Sequence, residues 1–181
     1  MYIKRICYPI TVLGPGKRIG IWVTGCNKTC KDCMSPELKI RNPEDHVPLK
    51  KIIEMIVRIP QKIDGFTISG GEPFLQIKEL RKLVTILNRT FSDDIIIYTG
   101  YTLKELRDMK DEDVEYILCN ISVLIDGEYI AELNDGIGLR GSSNQIVHVF
   151  RKANHGIQFD TQKRQIQEFM YGDKILLIGI Q

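Results

Sequence analysis

Phe66-Thr67-Ile68-Ser69-Gly70-Gly71-Glu72-Pro73 is a short apolar run that stops at paired glycines and resumes at a proline. Ile77, Leu80, Leu83, Val84 and Leu87 follow at helical spacing. Together these residues make a strand, a tight turn and an amphipathic helix. The same grammar recurs on both sides. Ile19 to Thr24 is an apolar strand ending at Gly25, and Leu49, Ile52, Ile53, Ile56 and Val57 form a helical face between Pro48 and Pro60. Ile95 to Tyr98 is a third strand, closed by Thr99-Gly100, and Thr102 with Glu105 offers a capping box for a helix through Met109. Ile121 to Ile125 is a fourth strand, ended by Asp126-Gly127. Strands that alternate with helices, each a near-continuous apolar run, predict an α/β fold with a parallel sheet covered by helices. Four or five such units are too few to close an eight-stranded barrel. The expected architecture is a partial, open β/α barrel with its ligand site at the C-terminal strand ends. Its mouth should stand open, with no further domain to cover it. Near residue 150 the pattern changes. Residues 1–150 read as the core domain, and 151–181 as an extension in which Ile166–Met170 and Lys174–Ile178 pair as a hairpin around Tyr171-Gly172-Asp173.

Of the 181 residues, 43% are hydrophobic and 27% charged, which suffices for a sizeable core and excludes a disordered chain. No apolar run approaches the roughly 20 residues of a spanning helix. Met1-Tyr2-Ile3-Lys4-Arg5 lacks the apolar core and cleavage site of a signal peptide, so the expected compartment is the cytoplasm, with no membrane partner. The basic–aromatic interleaving of nucleic-acid binders is absent. The net charge of +2 is unevenly spread: residues 1–62 hold 12 Lys and Arg against 5 Asp and Glu. That balance predicts an acidic partner docking near Lys28 and Lys31.

Three of the five cysteines crowd together as Cys26-x3-Cys30-x2-Cys33, while Cys7 and Cys119 stand apart and read as buried small hydrophobes. In a reducing compartment such a cluster indicates metal or redox chemistry. Three thiolates on a cubane iron–sulfur cluster leave one iron open to a substrate. A structural zinc site wants four closed ligands; His46 could supply the fourth, but there is only one C-x2-C pair. Gly70-Gly71-Glu72-Pro73 alone is a tight turn at a helix start. Beside a three-cysteine loop, its glycines also let a small ligand approach the backbone, and Glu72 could bind an ammonium group. Blander readings suit the rest. His148 is a satisfied strand-edge histidine, Arg140 to Gln145 an exposed loop, and Trp22 a core residue.

The C-x3-C-x2-C spacing followed by Gly70-Gly71-Glu72 resembles the radical S-adenosylmethionine superfamily. Gly14-Pro15-Gly16, Tyr98-Thr99-Gly100-Tyr101, Val123-Leu124-Ile125-Asp126-Gly127 and Arg140-Gly141-Ser142-Ser143-Asn144-Gln145 resemble its glycyl radical enzyme activases, specifically the branch serving anaerobic ribonucleotide reductase. The likeness covers about residues 1–150, and Asp32 stands where that family usually has an aromatic residue or glycine. It implies that Cys26, Cys30 and Cys33 hold a [4Fe-4S] cluster whose open iron chelates S-adenosyl-L-methionine. Asp32 and Met34 would flank the adenine end and Gly70-Gly71 would receive the methionine amino group. Thr99 and Gly100 would offer further polar contacts. It further implies one-electron cleavage of the cofactor to a 5′-deoxyadenosyl radical, which takes hydrogen from a glycine of a partner enzyme. The reductant would be an acidic electron donor such as a flavodoxin. The competing expectations are a free-standing radical enzyme acting on a small molecule or peptide, and a non-catalytic iron–sulfur or zinc module.

Overall fold

A computed structural model describes residues 1–151, 159, 161–171 and 173–180. A six-stranded sheet runs in strict sequence order: β1 (Ile3–Ile10), β2 (Arg18–Val23), β3 (Gly65–Gly70), β4 (Ile95–Tyr98), β5 (Val123–Asp126) and β6 (Ile146–Val149). The four central strands are parallel, as the apolar runs predict, while β1 and β6 pair antiparallel at the edges. α1 (Leu49–Val57) and α2 (Ile77–Thr90) make the first crossovers, and α3 (Leu103–Asp108) with α4 (Glu112–Cys119) the third. Each new parallel strand adds to the same side of the last, and the crossover helices share one core. The sheet is therefore singly wound, an open radical-SAM-like barrel.

Side-chain alternation divides the core in two. Ile19, Ile21, Val23, Ile95, Ile97 and Leu124 face the helices. Trp22, Ile96, Val123 and Ile125 face the other, concave side. There they meet a separate hairpin of β7 (Ile166–Tyr171) and β8 (Lys174–Gly179), the expected C-terminal appendage. The Gly172 of the expected turn lies outside the described residues, as do 152–158. At the foot of the concave face Arg18 is wholly buried. Its Nε donates to Thr67 Oγ1 at 2.9 Å, and its Nη atoms to the carbonyls of Pro15 and Phe66 and to the Asp94 carboxylate at 2.8 and 3.2 Å. The Thr102–Glu105 capping box forms as read, and α3 ends at Asp108. No helix among the described residues is long and apolar enough to cross a membrane.

Three expectations of burial need correction. Cys119 closes α4 and is exposed, because the helix turns its apolar face, Val114, Ile117 and Leu118, inward instead. Cys7 is only half-buried. The Arg140–Gln145 segment is largely folded in: Ser142 and Gln145 are buried, and Gln145 Oε1 accepts from the amides of Gly141 (2.7 Å) and Ser142 (3.2 Å) while its Nε2 donates to the Gly127 carbonyl (2.7 Å).

Candidate active site

The apolar strand β2 ends at Val23, and after Thr24 the Gly25 residue, at φ 92, turns the chain into the cysteine loop. The loop is pinned at both ends: the amides of Gly25 and Cys26 donate to the carbonyls of Leu38 (2.9 Å) and Lys39 (3.0 Å). Lys39 Nζ returns to the Cys30 carbonyl at 3.2 Å. Cys26, Cys30 and Cys33 are free, half-buried thiols on the wall of one cavity. Burial pushes the Cys26 and Cys30 thiols up from their ordinary pKa, and neighbouring negative charge, from Glu72 at Cys26 and Glu128 at Cys30, adds to it. Ionised thiols here therefore call for a cation between them. Among the described residues, no three His, Cys, Asp or Glu side chains converge on the position of a single metal ion. A cubane cluster makes a different demand, since each cysteine binds its own iron. The donor set of three free thiols around one cavity fits such a group.

The glycine turn after β3 closes directly onto the cysteine loop. Gly71 N donates to the Val23 carbonyl and Glu72 N to the Gly25 carbonyl, both at 2.8 Å. Gly70 sits at φ 114, where a Cβ would lie 2.4 Å from the Val23 oxygen. Gly71 does not need a positive φ; it is glycine because a Cβ would lie 2.3 Å from the Gly25 oxygen.

Glu72 is fully buried, and its carboxylate is well occupied. Oε1 accepts from Phe74 N and Thr99 Oγ1, each at 2.9 Å, and Oε2 from Gly100 N at 2.8 Å. Burial raises its pKa, against the pull of those three donors and of Lys28. In this geometry Glu72 organises the next strand end rather than reaching out for a ligand. Glu72→Gln would set an amide N–H against one of these donors. The lost charge-assisted bonds should cost about 1.5–3 kcal/mol. We expect weaker binding of S-adenosylhomocysteine by calorimetry, with secondary structure by circular dichroism unchanged.

The cavity is also lined by Gly70, Gly71, Thr99, Gly100 and Met34. Asp32 is exposed and takes a left-handed φ of 54, outside that lining. Lys28 departs from the docking role read for it. Its Nζ lies 3.1 Å from Glu128, 4.0 Å from Glu105 and 4.2 Å above the Tyr101 ring, with the side chain 12% exposed. With Asn27 Nδ2 donating to Tyr101 Oη at 2.6 Å, it clasps the cysteine loop to the ends of β4 and β5. The partners lie far along the chain, so no local pattern announces this clasp. His148 does meet a partner, Asp126, at 2.8 Å.

Comparison with known proteins agrees with this geometry. Residues 12–148 match the family described as 4Fe-4S single cluster domain. Anaerobic ribonucleoside-triphosphate reductase-activating proteins align over 152 residues: that of Vibrio cholerae at 35% identity (79% of this chain, 95% of the relative) and that of Haemophilus influenzae at 36% (80% and 96%). The Escherichia coli K12 protein is 32% identical (80% and 96%). On these matches, with the cysteine loop and glycine turn joined at one cavity, the chain belongs to the anaerobic ribonucleoside-triphosphate reductase-activating protein family of the radical S-adenosylmethionine superfamily.

Proposed function

We propose that the protein holds a [4Fe-4S] cluster on Cys26, Cys30 and Cys33, binds S-adenosyl-L-methionine beside it, and generates a glycyl radical on an anaerobic ribonucleotide reductase. The observation that carries this reading is the shared cavity of the three thiols, the Gly70-Gly71 backbone and Thr99-Gly100. When bound, the cluster and cofactor supply one-electron cleavage of the sulfonium and the radical that abstracts hydrogen. The chain's own residues do the rest. Gly70 and Gly71 keep the backbone open toward the methionine end, and Glu72 orients Thr99 and Gly100 for polar contact. Met34, on the cavity wall, borders the adenine end, whereas Asp32 stands outside the lining. An acidic electron donor, such as a flavodoxin, suits the basic 1–62 segment. Lys31, 77% exposed and paired only at the surface with Glu132 at 3.3 Å, is the charge facing it, since Lys28 belongs to the clasp.

Two measurements test this. Ala at Cys26, Cys30 or Cys33 should abolish iron binding and the brown colour, whereas Cys7→Ala and Cys119→Ala should retain both. A colourless protein with one tightly held zinc would contradict the cluster. A reductase deuterated at its glycine α-carbon should pass deuterium into 5′-deoxyadenosine. Label retained in the reductase, with a small metabolite donating hydrogen instead, would favour a free-standing enzyme.

A further inference from the structure

The matched family region ends at residue 148, and β7 and β8 lie beyond it. Nothing in the matched region therefore accounts for the hairpin. It is nevertheless built into the site. Ile178 and Ile180 are buried against Ile10, Val12, Leu13 and Trp22. Gln167 accepts from the Thr11 amide at 3.1 Å and donates to the Pro9 carbonyl at 2.9 Å. At the other end Arg164 donates to the carbonyls of Arg140 and Gly141. A Cβ on Gly179 would lie 2.5 Å from the Gln165 oxygen, so the strands close tightly there. Held in this way, Leu176, Leu177 and Ile178 line the same cavity as the three cysteines.

The cavity consequently has two unlike walls. One is polar, with the thiols, Glu72 and Thr99; the other is apolar, with Leu13, Trp22 and β8. Among the described residues, the cations on its lining are all engaged: Arg5 with Glu37 at 2.9 Å, Lys28 with Glu128 at 3.1 Å, and Lys39 with the Cys30 carbonyl. On the β8 side a phosphorylated or otherwise anionic metabolite meets no cation among the described lining residues and would lose hydration against leucine, while Lys39, the one lining cation without a carboxylate partner, is turned onto the Cys30 carbonyl within the cysteine loop. A neutral stretch of polypeptide around a glycine loses little there and displaces water.

We propose that β8 is a specificity wall, with Leu177 as the residue that holds the glycine-bearing segment of the protein substrate against the cofactor and keeps anionic small molecules out. This deepens the activase reading and rests on it. Leu177 is 53% exposed, so it can be changed without opening the core. Met170 supplies the control: it is 75% exposed on the same hairpin and is not part of the cavity.

The full-length, reconstituted protein is compared as wild type, Leu177→Glu and Met170→Glu, counting glycyl radicals formed by electron paramagnetic resonance per 5′-deoxyadenosine released. Leu177→Glu should lower this ratio by about tenfold or more, because a carboxylate must be desolvated against the incoming segment. Its affinity for S-adenosylhomocysteine and its iron content should stay at wild-type values, and Met170→Glu should keep the wild-type ratio. A second readout needs no cluster. Trp22, the single tryptophan, lines the cavity, so a peptide spanning the reductase's glycine loop should shift its emission in wild type and Met170→Glu, but not in Leu177→Glu. A wild-type ratio in Leu177→Glu, or equal losses in both variants, would overturn the wall. Failure of the wild type itself to form any glycyl radical would overturn the activase reading beneath it.

Discussion

Gly71→Ala is expected to deplete the protein of iron as well as weaken cofactor binding. The added methyl carbon would stand 2.3 Å from the Gly25 oxygen and 2.9 Å from the Leu38 oxygen. Both are backbone atoms on the frame of the cysteine loop, so no side-chain rotation relieves the clash. The loop must shift, and Cys26 follows Gly25 directly. Overpacking of this kind costs about 1–3 kcal/mol or more, which translates to roughly a fivefold or greater fall in cluster retention. Iron content after anaerobic reconstitution and gel filtration measures it; wild-type iron would show that the loop adapts. Gly100→Ala is the informative contrast. Its Cβ would meet a side-chain atom, Lys28 Cγ at 2.9 Å, rather than backbone oxygens, so it strains the Lys28 clasp but not the Gly25 frame and its iron content should fall less.

The second large effect lies at the opposite end of the barrel. Arg18→Met should destabilise the fold by about 3–5 kcal/mol, the usual cost of removing one partner from a buried ion pair. Asp94 would keep its charge at 14% exposure, and the Thr67, Phe66 and Pro15 oxygens would lose their donors. Chemical denaturation of the metal-free protein gives the number. Adding Asp94→Asn should recover part of the loss, because the stranded charge is then gone. A loss under about 1 kcal/mol would mean that water replaces the guanidinium.

The parallel centre of the sheet was readable because buried strands leave plain apolar runs, and the cysteine loop and glycine turn because their spacing is local. The edges were not. β1 carries Lys4 and Arg5 and has register breaks between Ile3 and Arg5 and between Cys7 and Ile10, so its alternation is scrambled. β6 is four residues long and leaves Ile146 and Val149 exposed, so no buried face marks it. The site's polar organisation was hidden for another reason. Arg18 reaches Asp94, and Lys28 reaches Glu128, across contacts that only the folded topology creates. Glu72 was recognisable as a site residue, but its direction toward Thr99 and Gly100 depends on β3 and β4 being neighbours. The hairpin was likewise readable as a hairpin, while its packing on the concave face, where an open mouth was expected, depends on Ile178 and Ile180 finding Trp22.

The Glu72 residue joins three loops at once: its amide holds the cysteine loop through Gly25, and its carboxylate holds Phe74 at its own helix start and Thr99-Gly100 at the next strand. Such a junction makes the site epistatic. Changes at Gly25, Glu72 and Thr99 share a single network, so their energies do not sum, and the first lesion removes most of what a second could. Residues on separate walls, such as Thr99 and Leu177, share no such bond and can vary independently. The cofactor end is thereby restricted to concerted replacement, whereas the substrate end can drift one residue at a time to follow a changing partner.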